Sequence, residues 1–415
     1  MSLFTPVWNV ELNGTSITDS VLASMTITSG RTNIYEQAAA GYCNLTLINL
    51  NQAAIAISIN DSISVELQNS SAVFVPIFGG TITDLGIEVA EVGGVGYTQR
   101  ITLIALGALS RLPKILTNGV IIQEYDGDQI YDVLHEILFA QWNKVPAALQ
   151  WNAVDPTLQW NDAFNTGLGE IDRPGDYLLA ARASSRTDSY SLVSALATSG
   201  LGYIFENPSG QICYADSTHR SQYLAINGYV ELSANNAQGA GLAIKTRAGD
   251  VRNSITLKYN ATSSAEQSAS DAESIGIYGE LGQIITTTLL NSADAITQAD
   301  FYLSLRAYPQ AAFTNITYQL TNPEIDNGDR NNLIAVFMGM PLQISDLPLN
   351  MVSGNFLGFV EGWTFQAAYN EISVTMNLSP ISFSLQAMNW QSVPVTEQWS
   401  TVNPTLDWAN ATIVS

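Results

Sequence analysis

A chain of 415 residues, 46% hydrophobic and 13% charged, is too long for one ordinary core and too apolar for a disordered chain, so about two to four packed domains are expected. Its formal net charge of -22, from 15 basic and 37 acidic residues, leaves no Lys/Arg surplus to neutralise phosphates and argues against sequence-specific nucleic-acid binding. No apolar run approaches the ~18 residues needed to span a bilayer, and the opening MSLFTPVWNVELNG lacks the basic start and apolar core of a signal peptide, so neither membrane insertion nor secretion is expected.

Residues 1–112 read as strands joined by turns. WNVELNG, SMTITSG, YCNLTLINL, SISVELQ, VFVPIFGGTITDLGIEV and YTQRITLIALGAL each alternate or run apolar between Gly, Asn and Ser. This pattern predicts a small barrel or sandwich. The glycines of GGVG at Gly93–Gly96 fit a hairpin turn between two strand-like runs rather than a phosphate loop, because no helical pattern follows them.

The texture changes after Leu112. YDGDQIYDVLHEILFAQW places Ile130, Val133, Leu134, Ile137 and Leu138 on one helical face, with Asp126 or Asp128 positioned to cap it. A second helix is predicted at 188–199, capped by Asp188 or Ser189 and ended by Gly200. GYIFENPSGQICYAD then reads as two strands around a Pro/Gly turn, giving an α+β unit inserted between β parts.

From about 236 the β texture returns, in NSITLKY, GQIITTTLL, AAFTNITYQL, MPLQISDL, GNFLGFVEGWTFQAA and NEISVTMNLS, crossed by one helix in ADAITQADFYLSLRAY. The runs SISVEL, PIFGGTITDLGIEV and QRITLIAL have counterparts in the same order in MPLQISDL, NFLGFVEGWTFQ and NEISVTMNL. Each trio has a Gly-containing apolar strand before a hairpin return. Beyond each lies a tandem of nine-residue units, LQWNAVDPTLQWNDAFNT at 149–166 and EQWSTVNPTLDWANATIV at 397–414. The chain thus reads as a duplicated module. A spacing of nine turns successive Trp side chains to opposite faces of a helix or strand, so the unit has to bend, at Asp155-Pro156 and Asn403-Pro404. Trp151, Trp160, Trp399 and Trp408 are then candidate anchors, packing against the adjacent β unit or docking onto another subunit.

Catalytic and metal-binding patterns do not emerge. His135 begins HEILF without the second His of a zinc helix, and His219 lies in the polar stretch STHRS without a partner nearby in sequence. Glu324, Asp326 and Asp329, like Asp126 and Asp128, occur with the residues that turns and caps use and do not match the calcium-loop spacing. Cys43 and Cys213 form no CxxC and read as two buried thiols. No cofactor, metal or catalytic residue is expected.

Several stretches resemble the minor tail proteins of long-tailed bacteriophages, the group that includes baseplate hub and tail-tip proteins. The segment AESIGIYGELGQIITTTLLNSADAITQADFYLSLRAYPQAAFTNITYQL carries the pattern in Ser274, Ile275, Tyr278, Gly279 and Pro309; VRNSITLKY at 251–259 is similar to the strand that precedes it. The helix with the GYIFENPSGQICYAD hairpin is similar to the family's inserted domain, and WxxVDPTLxW to its Trp-rich repeats. The resemblance implies a mainly β fold with an α+β insertion: a tube-like β-barrel at 1–112, an inserted α+β domain with the first nonad array at 113–235, a second tube-like β domain with one crossing helix at 236–390 and a Trp nonad tail at 391–415. It further implies a homotrimeric, non-enzymatic tail hub at the tip of the virion, assembled in the host cytoplasm, adapting a six-fold tube to a three-fold tip and lining the DNA conduit. Its partners would be a distal tail or tube protein above, a tip or fibre protein below and the tape measure protein in the lumen. A hexameric distal tail or tube protein, a tail-tip cell-wall hydrolase, and the hub of a gene-transfer or injection particle stay open.

Overall fold

The structure, a computed structural model, describes residues 4–18, 20–49, 55–93, 96–141, 168–239, 242–260, 265–313, 315–351, 354–368 and 370–380. Both nonad arrays, and with them Trp151, Trp160, Trp399 and Trp408, lie outside the described residues.

The first β unit contains β1 (Trp8–Leu12), β2 (Ser20–Gly30), β3 (Ala39–Asn49), β4 (Ser62–Gln68), β5 (Phe74–Gly93) and β6 (Gly96–Leu106). Alternation does the work here. In β4, Ile63, Val65 and Leu67 point inward and are fully buried, while Ser64 and Glu66 stay partly exposed. β5 and β6 pair antiparallel from Thr81 opposite Leu106 to Gly93 opposite Gly96; Gly94 and Val95 of the GGVG stretch lie outside the described residues.

The middle of the chain forms α1 (Asp126–Gln141), α2 (Ser189–Ser199), the hairpin of β7 (Tyr203–Glu206) and β8 (Ile212–Ala215), and α3 (His219–Asn227). Asp188 caps α2 by accepting from the backbone N–H of Ser191 at 2.8 Å. Gly200 follows α2 with φ at -83°, so it is not there for a left-handed turn. A Cβ at that position would stand 2.7 Å from the Tyr214 hydroxyl. His219 heads a helix instead of lying in a loop, and α3 is an element that periodicity did not reveal.

The rest comprises β9 (Val230–Ser233), β10 (Ile244–Thr246), β11 (Ser254–Tyr259), β12 (Ala265–Ser270), α4 (Ala272–Tyr278), β13 (Gly282–Thr286), α5 (Ser292–Arg306), β14 (Ala311–Phe313), β15 (Ile316–Gln319), α6 (Asn327–Ile334), β16 (Pro341–Ser345), β17 (Phe356–Ala368) and β18 (Glu371–Pro380). The three-stranded sheet of β12, β11 and β13 packs with α5 on the middle unit, so that Ile255, Leu257, Ala295 and Ala299 share one core with Leu134, Val193 and Tyr214.

The two β textures join in a single sheet. Its strands run β9-β16-β17-β2-β3-β6-β5-β4-β1 and end in the short Thr15–Ser16, with β18 pairing β17 and β15. The join is the antiparallel pairing of Gly362–Ala368 in β17 with Ser24–Gly30 in β2. A common core behind it includes Met25, Ile27, Leu45 and Ile63 from one side and Trp363, Phe365, Val374 and Met376 from the other.

The meanders β4-β5-β6 and β16-β17-β18 also share their register. Thr81 lies opposite Ser62 on one side and Leu106 on the other; Phe359 lies likewise between Pro341 and Ser379. Two residues on, each middle strand carries an extra residue against its return strand, Thr83 in β5 and Glu361 in β17. Phe78 and Gly80 then correspond to Phe356 and Gly358. At both glycines a Cβ would run into the carbonyl oxygen of the return strand, Leu106 or Ser379, and into the ring of the Phe two residues before it.

Trp363, 1% exposed and fixed by pairing with Ser29, is the largest side chain in the shared core. Trp363→Ala should cost about 3–5 kcal/mol in denaturant unfolding, the range for emptying a large buried aromatic site.

A buried ionic joint between the two sheets of strands

The extra residue in β17 is charged. A bulge re-aims its side chain, and at Glu361 it directs a carboxylate into the seam between β2, β17, β18 and α3. Arg31, immediately after β2, donates from Nε to Glu361 Oε2 at 2.6 Å, and its backbone N–H donates to the Glu361 carbonyl at 2.8 Å. Arg220, in the first turn of α3, donates through both terminal nitrogens, to Oε1 at 2.7 Å and Oε2 at 3.0 Å. Ser379 in β18 donates its hydroxyl to Oε1. Glu361, Arg31 and Arg220 have side chains 1%, 7% and 5% exposed, so the cluster is sealed from water.

Aromatic faces complete the seal. The Arg31 and Arg220 guanidinium carbons stand 5.3 and 4.4 Å from the Tyr203 ring centroid, and Phe359 covers Arg220 from another side at 5.2 Å. Burial alone would raise the Glu361 carboxyl, but Arg220 and Arg31 overcome it and hold the group down at about 2. Gly30, with φ at +84°, lets the two backbones meet: a Cβ there would lie 2.6 Å from the Gly362 Cα.

Two further buried carboxylates hold the middle unit, Glu206 against the first β unit and Asp126 within the middle unit itself. Glu206, at the end of β7, accepts from the backbone N–H groups of Gly41 at 2.7 Å and Leu109. Asp126, at the start of α1, accepts from the Tyr177 backbone N–H at 2.8 Å and from the Tyr214 hydroxyl. Burial pushes each up to about 7, against those hydrogen bonds.

The remaining candidates are accounted for by packing. Asp128 pairs with Arg173 at 2.7 Å, and Asp326 caps α6 by accepting from the Asp329 N–H at 2.8 Å. His219 Nδ1 meets Asp172 at 2.7 Å, a partner 47 residues away that reading along the sequence could not supply. The ring is 9% exposed and stacks on Tyr223 with centroids 6.5 Å apart, a packing position rather than one open to a substrate. Cys43 and Cys213 are buried free thiols.

No family model and no curated protein matches this sequence. Solved structures do match. The chain is similar to a tail protein from Neisseria meningitidis MC58, at 11% identity and a TM-score of 0.57 over 92% of this chain and 98% of that one. It is also similar to the 43 kDa tail protein of prophage MuSo2 from Shewanella oneidensis, at 10% identity and a TM-score of 0.52 over 91% and 99%. The chain therefore has a fold shared with phage tail proteins along nearly its whole length.

Glu361→Gln removes the anion between two buried cations and should cost about 3–5 kcal/mol in denaturant unfolding. The acid and neutral limbs of stability have opposite causes. Glu361 is held below the ordinary Glu value, so its contribution is complete above that value and fades as pH falls from about 4 toward 2. Glu206 and Asp126 bind a proton more tightly folded than unfolded, so their contribution is complete below the ordinary carboxylate value of about 4 and is lost progressively as pH rises through about 7. Melting temperature should accordingly drop by several degrees between about pH 5 and pH 8, and drop less in Glu206→Gln, which cannot ionise.

Proposed function

We propose that this protein is a structural component of a phage-type tail: a hub in which three copies present six equivalent β meanders. The observation that carries the reading is the pair of meanders with one register, one bulge position and one Phe-x-Gly contact, inside a fold shared end to end with tail proteins. Two copies of one module per chain suit a threefold assembly that must meet a sixfold tube. On this reading the units are 1–112, 113–235, 236–390 and 391–415, and the first and third carry the tube-like modules.

The role on this reading is assembly rather than catalysis: the buried ionic groups hold strands and helices together, and the solved structures that share the fold are tail proteins. The acidic balance of -22 suits a conduit, because negative charge near a lumen repels phosphates within a Debye length of ~8 Å and lets nucleic acid slide. Trp151, Trp160, Trp399 and Trp408 serve as anchors for neighbouring tail proteins.

Native mass spectrometry of the purified chain should give three copies. Six would indicate a distal tail or tube ring, and clearing on a peptidoglycan zymogram would point to a hydrolase. Trp399→Ala with Trp408→Ala should weaken assembly by about 2 kcal/mol or more per anchor where these rings dock on a partner; unchanged assembly with a lower melting temperature would place them in internal packing.

A further inference from the structure

The matched registers make the two meanders comparable position by position, and at one place they differ. In β17, the stretch beyond the bulge pairs on both sides, with β18 and with β2. The corresponding stretch of β5, Asp84–Val89, pairs on one side only, with Ile104–Gln99 of β6; among the described residues its other edge has no strand beside it. The inward positions show the consequence. Phe365 and Ala367 of β17, covered by Ile27 and Met25 across the joint, are 1% and 7% exposed. Their counterparts counted from the bulge, Ile87 and Val89, are 60% and 53% exposed.

A second strand is open in the complementary sense. β10 pairs with β14 on one side, and among the described residues nothing pairs with its other edge. β14 and β15 lie toward β18 as β3 lies toward β6, so β10 occupies in the second meander the flanking place that β2 holds in the first. The two edges also differ in charge. Asp84 and Glu88 line the β5 edge, whereas Lys245 lies in β10 and Arg247 just after it, all four exposed in a chain with only 15 basic residues.

We propose that the Asp84–Val89 edge of one copy takes the β10 strand of a second copy, in an antiparallel joint that repeats between chains the β2–β17 joint within the chain. Ile87 and Val89 become covered there as Phe365 and Ala367 are; carrying over the β2–β17 register sets Gly86 opposite Ile244 and Asp84 opposite Thr246, and brings the acidic edge alongside the strand that holds Lys245 and Arg247. This deepens the hub reading and rests on it for the number of copies. A head-to-tail joint of this kind closes into a ring where its rotation allows and otherwise grows into a filament. An open strand edge is a template for such pairing, because its N–H and C=O groups are left to water until another chain supplies partners.

The test uses the full chain. Ile87→Asp with Val89→Asp alters two exposed positions and should convert the assembly to folded monomer at an unchanged melting temperature, read by native mass spectrometry and circular dichroism. Asp84→Lys with Glu88→Lys, which turns the acidic edge basic against Lys245 and Arg247, should weaken self-association about tenfold or more. With Asp84→Cys and Thr246→Cys in one chain, oxidation should yield covalent multimers on a non-reducing gel, since the native thiols are buried. A wild-type trimer that the Ile87/Val89 variant leaves intact, with no cross-link, overturns the edge and spares the hub reading. An assembly of another number, or an open polymer, that the variant dissolves keeps the edge and overturns the threefold reading. A wild type that stays monomeric throughout overturns both.

Discussion

Glu361 brings a negative charge into an apolar seam, and the seam holds because two guanidiniums come with it. Neither arginine belongs to the strand that carries the carboxylate: Arg31 leaves the first β unit and Arg220 opens a helix of the middle unit. Folding any one of these parts alone would leave a buried or half-buried charge without its counter-ion, which costs several kcal/mol per ion. The cluster therefore couples three stretches of chain that could otherwise pack in more than one register. Its contribution is better described as fixing which strands meet than as net stabilisation, because a hydrophobic replacement of the whole triad would avoid the same desolvation cost.

The bulge makes this possible. Within a regular strand, Phe356 and Val360 would point to the face opposite Trp363 and Phe365, and one pair or the other would leave the core they share. One extra residue resets the alternation, so that Glu361 reaches the seam and both rings stay in the core. The same extra residue in β5 is Thr83, which is partly exposed and whose hydroxyl bonds Asp84 and the Ile104 carbonyl. The geometry is common to both meanders and the charge is specific to one, the one in which the joint lies within the chain.

Much of this architecture was legible in the sequence where its cause is local. Alternation gave β4, β6, β17 and β18; the Asp188 cap gave the start of α2, and the Pro/Gly turn gave the β7–β8 hairpin. The parallel order of the two strand trios was readable, while their shared register was not, because pairing partners are set by contacts across the fold. Short helices escaped for a physical reason: α3, α4 and α6 are 9, 7 and 8 residues long, too short for a period to establish itself, and they are held by tertiary contacts and caps. The ionic joint was equally hidden. Arg31, Arg220 and Glu361 are up to 330 residues apart, and each alone reads as an ordinary surface charge.

Glu361, Glu206 and Asp126 are buried carboxylates with unlike settings, and the difference follows from what surrounds each. Backbone N–H groups and a tyrosine hydroxyl satisfy the oxygens of Glu206 and Asp126 but bring no full positive charge, so burial wins and both groups sit near neutrality. Around Glu361 two cations outweigh the same burial. Of these three, only the Glu361 cluster joins the strands on which the two meanders meet, and there the protein keeps a full charge. Protons thus act near pH 7 on the inside of the middle unit, at Asp126, and on its contact with the first β unit, at Glu206, well before they reach the joint between the two meanders. A protein built this way keeps its central seam across the pH range in which its flanking contacts soften, because the counter-charges at that seam are guanidiniums, which do not release their protons in that range.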